Sequence, residues 1–369
     1  MKILFTGGGT LGPVTPLLAV AEALQNGVAS ESSRRRGLSA ATPLQLAWIG
    51  TRKGPEQKII EEAGISFSWI WAPKLRRYFD MRNVFVPLAL CFSAKMAWFK
   101  LLKLRPDLIF TAGGFVGVPV VWAGWFLRIP SVLHNQDVRW SLANKLVAPF
   151  VKKITYALPG TVPARWKRKS LWTGNPIRPF VLSGNKEKGL KLCGFSDRIK
   201  TIMIVGGGTG AKRLNEILLE ALQELTKKYQ VIHVTGRGKQ STHYSLPTTH
   251  YFVSEFVTRE MGDLIAASDL VITRAGMGFL TELATLGKPM VIVPIPGSHQ
   301  EENARYFKEK KAAVVLNQTR LNGVGLIKEV DRLFHEPDIM REMSEQGKEL
   351  LKSNAAQLIA KEVIALVKN

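Results

Sequence analysis

Two glycine-rich turns, one in each half of the chain, carry the clearest chemistry in the sequence. The first reads Lys2-Ile3-Leu4-Phe5-Thr6-Gly7-Gly8-Gly9-Thr10-Leu11-Gly12 and the second Thr201-Ile202-Met203-Ile204-Val205-Gly206-Gly207-Gly208-Thr209-Gly210-Ala211. Each follows an apolar β-type run and precedes an amphipathic helical pattern. Glycine lets the backbone turn sharply and approach a ligand closely. A helix start behind such a turn presents unpaired N–H groups and the positive end of its dipole, which suits phosphate. Either turn alone is equally well read as an ordinary strand-to-helix connection. Neither is a P-loop, since no Gly-Lys-Ser/Thr closes it. Gly7, Gly9 and Gly12, and Gly206, Gly208 and Ala211, keep a dinucleotide spacing. The next strands end in Gly50-Thr51-Arg52 and Val234-Thr235-Gly236-Arg237, without the acid that would hold a ribose, so a dinucleotide is disfavoured.

Two further segments of the second half follow strands and open helices. In Thr273-Arg274-Ala275-Gly276-Met277-Gly278-Phe279-Leu280-Thr281-Glu282, glycines again permit backbone approach to phosphate. Glu282 falls about one turn into the helix, where a carboxylate can accept from a ribose diol or simply complement the dipole. In Val293-Pro294-Ile295-Pro296-Gly297-Ser298-His299-Gln300, an imidazole and an amide meet the next helix start. Such groups both donate and accept, as sugar hydroxyls require, and serve equally as helix caps.

These segments need scaffolds that place them together. The first half alternates strands (3–6, 44–50, 67–71, 108–111, 131–135, 154–157) with helices, and the second restarts the alternation (201–205, 231–234, 251–253, 270–273, 290–293). That pattern predicts two α/β domains, each a doubly wound parallel sheet of Rossmann type, facing each other across a cleft. A length of 369 residues suits two domains rather than one core. The proline-rich stretch Pro159–Pro179 predicts the linker, dividing the chain into residues 1–162 and 163–352, with a last helix of about 353–369 packing back on the first domain. Residues 26–43, containing Arg34, Arg35 and Arg36, read as a basic surface loop.

The net charge is +22, of which residues 1–165 carry +13 (21 Lys/Arg against 8 Asp/Glu). Such an excess implies an anionic partner. Phe79–Lys103 is densely apolar but broken by Arg82, Pro87, Lys95 and Lys100, too interrupted to span a bilayer. It suits an interfacial helix, preceded by the cationic and aromatic Lys74–Phe79, or a buried helix of the domain. No helix-turn-helix pattern or stacking platform supports nucleic acid. The two cysteines, Cys91 and Cys193, read as buried reduced thiols. With no basic leader at the N-terminus, they predict a cytoplasmic compartment.

Taken in order, the motifs resemble the GT-B glycosyltransferases, and among them the MurG family, which adds N-acetylglucosamine to a lipid-linked muramyl pentapeptide. The matching pieces are Gly8–Gly12 with Pro16-Leu17-Leu18-Ala19, Gly113-Gly114-Phe115, His134-Asn135-Gln136-Asp137 and Gly174-Asn175-Pro176-Ile177-Arg178. In the second half they are Gly206–Ala211 with Asn215, Glu255-Phe256, Arg274–Glu282, and His299-Gln300 with Asn303-Ala304. The resemblance implies a donor half holding UDP-N-acetylglucosamine. Gly208, Thr209, Gly210 and Arg178 would meet the diphosphate, with Asn215 and Gly276 in the same site. Phe256 and Val257 would frame the uracil, Glu282 the ribose, and His299 and Gln300 the sugar. It implies an acceptor half binding the lipid diphosphate at Gly8, Gly9, Thr10 and Gly12, with Phe115 and Asn135 beside it, peripheral to the cytoplasmic face of the membrane. Transfer would invert the anomeric centre without cofactor or metal.

The chain departs from the family pattern at the base. Proline stands at position 13 where the family has histidine, Phe115 where it has tyrosine, and the family's His-Glu-Gln-Asn reads His134-Asn135-Gln136-Asp137. Asp137 is therefore the expected general base and His134 a weaker candidate, while Asp137 equally suits the cap of a helix beginning near Arg139. A transferase using another lipid such as diacylglycerol, or a non-catalytic membrane-associated relative, stays open on these departures.

Overall fold

The computed structural model describes residues 1–9, 12–34, 44–73, 86–207, 211–236, 238 and 249–368. They form two compact units: residues 1–178 with 353–369, and residues 179–352.

In the first unit, strands β1 (Lys2–Thr6), β2 (Gln45–Thr51), β3 (Ser66–Ile70), β4 (Leu108–Thr111), β5 (Ser131–Asn135), β6 (Lys153–Tyr156) and β7 (Ser170–Trp172) make one parallel sheet ordered β3-β2-β1-β4-β5-β6-β7. The linking helices are α1 (Val14–Arg34), α2 (Glu56–Glu62), α3 (Val86–Leu104), α4 (Gly117–Phe126) and α5 (Leu142–Val147). The strands are apolar on both faces, as a sheet covered on both sides requires. Ile3, Phe5, Leu108, Phe110 and Val132 point to a layer formed by α1 and a last helix, α14 (Ala355–Lys368). Leu4, Ile109 and Leu133 point the other way, toward Ala97 and Leu101 of α3 and Val120 of α4.

Three sequence expectations change here. The boundary falls after Arg178 rather than 162, because Ser170–Trp172 adds a seventh strand to the first sheet. That strand is only three residues long, too short for its alternation to register. Residues 26–34 continue α1 instead of leaving it, and the rest of the expected loop, 35–43, lies outside the described residues. Cys91 is exposed on α3, while Cys193 is partly covered and its thiol is pushed up to about 12 by burial. Residues 74–85, including the expected Lys74–Phe79 segment, lie outside the described residues.

In the second unit, β8 (Thr201–Val205), β9 (Gln230–Val234), β10 (Tyr251–Ser254), β11 (Leu270–Thr273), β12 (Met290–Ile292) and β13 (Val314–Val315) form a parallel sheet ordered β10-β9-β8-β11-β12-β13. Its helices are α6 (Pro179–Leu182), α7 (Lys186–Cys193), α8 (Lys212–Lys228), α9 (Met261–Ala267), α10 (Met277–Thr285), α11 (Gln300–Glu309), α12 (Gly323–His335) and α13 (Pro337–Leu350). Ile202, Ile204 and Ile272 pack on Leu214, Leu218 and Leu222 of α8 and Leu326 and Val330 of α12. The amphipathic period of α8 and α12 turns an apolar stripe to the sheet and charges to solvent. Lys288, half-buried, donates to the carbonyls of Ala266 and Ser268, and desolvation lowers its pKa to about 8.

The two sheets share one design. Their strand order reverses between β1 and β4 and between β8 and β11. At such a switch point the connections leave toward opposite faces, and a crevice opens at the carboxyl ends of the strands.

His134, on β5, is fully buried between two partners: Nδ1 lies 2.9 Å from Thr155 Oγ1 and Nε2 2.9 Å from Asn175 Oδ1. Burial lowers its pKa from 6.5 to about 4. The folded state thus needs the neutral ring. Its contribution is complete above pH 6.5 and is lost as pH falls toward 4. His134→Gln removes that titration. Denaturant midpoints at pH 7.5 and pH 5 will show a shallower pH dependence in the variant than in the parent. The difference is on the order of 1 kcal/mol per pH unit, and parallel curves would contradict the assignment. Ile359 of α14 is likewise fully buried against the first sheet. Ile359→Ala lowers the unfolding free energy of the first unit by about 2–5 kcal/mol in denaturant titrations.

Candidate active site

The first glycine turn is held from below and from the side. Trp48 stacks on Phe5 with ring centroids 5.7 Å apart and donates its indole N–H to the Gly7 carbonyl at 2.9 Å. Glu56, at the start of α2, reaches back into the turn with its carboxylate fully buried. Oε1 accepts from the N–H and hydroxyl of Thr51 at 2.8 and 2.6 Å, and Oε2 accepts from Gly9 N–H at 3.2 Å. The approach requires glycine: a Cβ on Gly8 would sit against Oε1, and Gly9 has φ +82°. The acid missing from the end of β2 is thus supplied by α2, but it faces protein donors rather than a ribose. Sequence reasoning passed over Glu56; its signal is one acid set among Gly8, Gly50 and Gly54.

Phe115, after β4, lays its ring against Gly9, and Pro13 packs beside Gly114. From the end of β5, Gln136 donates through Nε2 to the Gly12 carbonyl at 3.2 Å. Asn135 is buried; its Nδ2 donates to the Asp137 carbonyl at 2.8 Å, and its Oδ1 accepts from Asn144 at 2.8 Å. So β1, β4 and β5 bring Gly8, Gly9, Gly12, Phe115 and the 135–137 segment to one crevice. Thr10 lies outside the described residues. Ser141, not Asp137, caps α5, its side chain accepting from Asn144 N–H at 3.1 Å. Asp137 is half-buried at the rim.

Three expected site residues, one a candidate base and two candidate ligands, are engaged within the protein. Both ring nitrogens of His134 are engaged, and the ring is sealed from solvent, so it has no path to a substrate proton. Asn135 spends its amide on Asn144 and Asp137 and thereby orients the latter. Arg178 belongs to the first unit and directs Nε and Nη2 at Glu22 Oε1, 3.0 and 2.8 Å away.

In the second unit, α8 begins behind the second glycine turn. Gly207 has φ +89°, and Gly208, Thr209 and Gly210 lie outside the described residues. Ala211 gives α8 no side-chain cap, and its first turn holds Lys212 and Arg213 but no acid. Gly276 likewise leaves α10 without a side-chain cap or a first-turn acid. Such helix starts favour an anion. The start of α11 differs, with Glu301 and Glu302 in its first turn. Here His299 Nδ1 is buried without a hydrogen-bond partner, and Gln300 Oε1 accepts from Ile295 N–H at 3.2 Å. This end is built for hydroxyls rather than phosphate.

The loops are tied by residues the sequence did not reveal as positioners. Arg274, 7% exposed, donates to the Val293 carbonyl at 2.8 Å, and burial lowers its pKa. Asn303 donates to the Ala275 carbonyl at 3.1 Å. Asn215 is a correction of the same kind as Asn135. It is buried, with Nδ2 donating to the Thr235 carbonyl and Oδ1 3.2 Å from His233 Nε2, and burial lowers His233 to about 3. Glu282 lies half-buried on α10, and Phe256 and Val257 follow β10. All of these loops leave the carboxyl edge of one sheet.

Comparison with known proteins agrees with this layout. Residues 3–156 match the glycosyltransferase family 28 N-terminal domain and residues 201–363 the glycosyltransferase family 28 C-terminal domain. A Bacillus cereus UDP-N-acetylglucosamine–N-acetylmuramyl-(pentapeptide) pyrophosphoryl-undecaprenol N-acetylglucosamine transferase is 39% identical, over 95% of this chain and 97% of its own. The enzyme of that name from Legionella pneumophila is 35% identical over 100% and 96%. The crystal structure of Acinetobacter baumannii MurG superposes with a TM-score of 0.73 at 24% identity, covering 99% of both chains, which shows the shared GT-B fold. With both domains matched and this identity sustained over the full length, the chain belongs to glycosyltransferase family 28 and, within it, to the MurG family.

Proposed function

We propose that this protein transfers N-acetylglucosamine from UDP-N-acetylglucosamine, with inversion, to a muramyl pentapeptide carried on undecaprenyl diphosphate, at the cytoplasmic face of the membrane. The observation that carries the reading is full-length identity of 35–39% to transferases of that name. The division of chemistry between the two sheets supports it. The donor's diphosphate suits the uncapped, acid-free starts of α8 and α10, and its sugar suits His299 and Gln300. Glu282 takes the ribose hydroxyls, with Phe256 and Val257 beside the uracil.

In the reaction an acceptor hydroxyl loses its proton to Asp137 while its oxygen attacks the anomeric carbon. The bond to the UDP oxygen breaks on the opposite side, and the negative charge left on the diphosphate faces helix-start N–H groups. Preorganised dipoles of this kind stabilise a leaving group without reorganisation. Asp137 is the base because Pro13 accepts no proton, His134 is sealed, and Asp137 is a half-buried carboxylate following β5. No metal is invoked, and EDTA in the assay tests that choice.

The membrane reading rests on α3 and α4. Leu88, Phe92, Phe99 and Leu102 of α3 and Trp125 and Phe126 of α4 are between 48% and 71% exposed. Lys95, Lys103, Arg105 and Arg128 are exposed on the same two helices or at their ends. Among the described residues no helix is long and apolar enough to cross a membrane. An apolar face with a cationic margin lies in an interface.

UDP release from UDP-N-acetylglucosamine will depend on a lipid-linked muramyl pentapeptide and persist in EDTA; donor binding without acceptor-dependent release would remove the assignment. Asp137→Asn will lower kcat by about 10²–10⁴-fold with little change in donor KM. A near-normal kcat would exclude it as the base. Phe99→Asp with Phe126→Asp will weaken sedimentation with anionic vesicles at least tenfold, about what losing two buried phenyl rings implies. Turnover of a short-chain acceptor in solution will persist.

A further inference from the structure

Beside the first glycine turn lies a cavity of about 260 Å³, at the carboxyl ends of β2 and β3. Its walls include Gly9 and Phe115 at one side, Arg52 and Lys53 at the top, and Ile70 and Trp71 at the other. It shares Gly9 and Phe115 with the crevice described above, yet the rest of its lining is different. Its lining joins a glycine turn and two cations to aromatic rings.

The cations are uncommitted. Neither Arg52 nor Lys53 forms an ion pair among the described residues, and both are exposed. Glu56, close in sequence, is buried and already accepts from three donors. Arg52 does not wave in solvent: its guanidinium lies over the Trp69 ring, 5.1 Å from the centroid. Such stacking holds the planar fork in place while leaving its edge donors open, which suits a phosphate. The glycine turn needs such help. Gly9 N–H, which would otherwise meet an anion, is taken by Glu56, and that carboxylate adds negative charge nearby.

The aromatic wall leads outward. Trp71, 48% exposed, meets Phe92 of α3 edge-on at 6.3 Å, and Phe92 is itself 57% exposed. From Gly9 to Phe92 the lining passes from the glycine turn, through two cations, to the apolar face of α3. That gradient matches an amphiphile with a diphosphate head and a hydrocarbon tail.

We infer that Arg52 and Lys53 bind the diphosphate of the lipid acceptor and that Trp71, with Phe92, carries the first units of its hydrocarbon chain. The inference rests on the reading that the first unit takes a lipid-linked diphosphate. It adds the residues that hold the charge and those that measure the chain.

The test uses the full-length protein in detergent micelles, which removes any general attraction to an anionic bilayer, and compares a long-chain with a short-chain lipid diphosphate acceptor. The double variant Arg52→Ala/Lys53→Ala will raise KM for both acceptors by about 10–100-fold, as expected for lost charge-assisted contacts. KM for UDP-N-acetylglucosamine will stay within about twofold. The charge-conserving Arg52→Lys/Lys53→Arg will recover most of the loss. Trp71→Ala will raise KM for the long-chain acceptor and spare the short one. An acceptor KM within twofold of the parent in the double alanine variant, or an equal effect on donor and acceptor, overturns the inference. A parent protein with no turnover on either acceptor overturns the proposed function instead, so the two failures are separable.

Discussion

Everything in this protein that does chemistry depends on the reversal of strand order in an all-parallel sheet. Between β1 and β4, and between β8 and β11, neighbouring strands send their following helices to opposite faces. The backbone there has no connection running across it. Glycine turns, helix starts and loop side chains then converge on one edge. The repetition of this design gives the chain two crevices of the same construction, one in each unit.

Each crevice is supported by polar groups that are themselves unavailable to substrate. Glu56 fastens the first turn to the end of β2, and His134 clamps β5 to β6 and to Asn175. Asn215 joins His233 to the Thr235 carbonyl in the second unit, while Arg274 and Asn303 pin the loops after β11 and β12. A buried polar group left unpaired is costly, so these side chains are tied to their neighbours and gain rigidity from them, although Arg274 Nε is buried without a hydrogen-bond partner. Asp137, in the first crevice, is only half-buried. The groups that hold each crevice together are therefore distinguished from the rest of the motif by burial.

That distinction explains what was legible in the sequence. Hydrophobic runs followed by glycine place β1, β8 and β11 correctly, because strand period and turn chemistry are local. The helix starts at Lys212, Met261 and Gln300 were equally readable. The edge strands β7 and β13, three and two residues long, carry too little alternation to register. The polar residues of the motifs were found, but not their duties. His134, Asn135 and Asn215 look like ligands in sequence because their side chains can donate and accept. Only long-range contacts, such as His134 with Asn175 41 positions away, show those capacities already used. Glu56 was missed for the opposite reason: on a charged helix start it resembles a surface acid, and its burial depends on Gly8, 48 positions earlier.

The packing of α14 against α1 sets an order of events during synthesis. Ile359 and Val363 complete a core otherwise built from residues before 133. The second unit, residues 179–352, is thus inserted within the chain of the first. At ribosomal speeds of about 5–20 residues per second, α14 emerges roughly 10–40 s after the first unit's last strand. For that interval the outer face of α1 and the sheet beneath it lack their cover, while the second unit has all its residues before the first does. The first unit is therefore the last to close, and its exposed apolar surface is the part of the nascent chain most in need of cover.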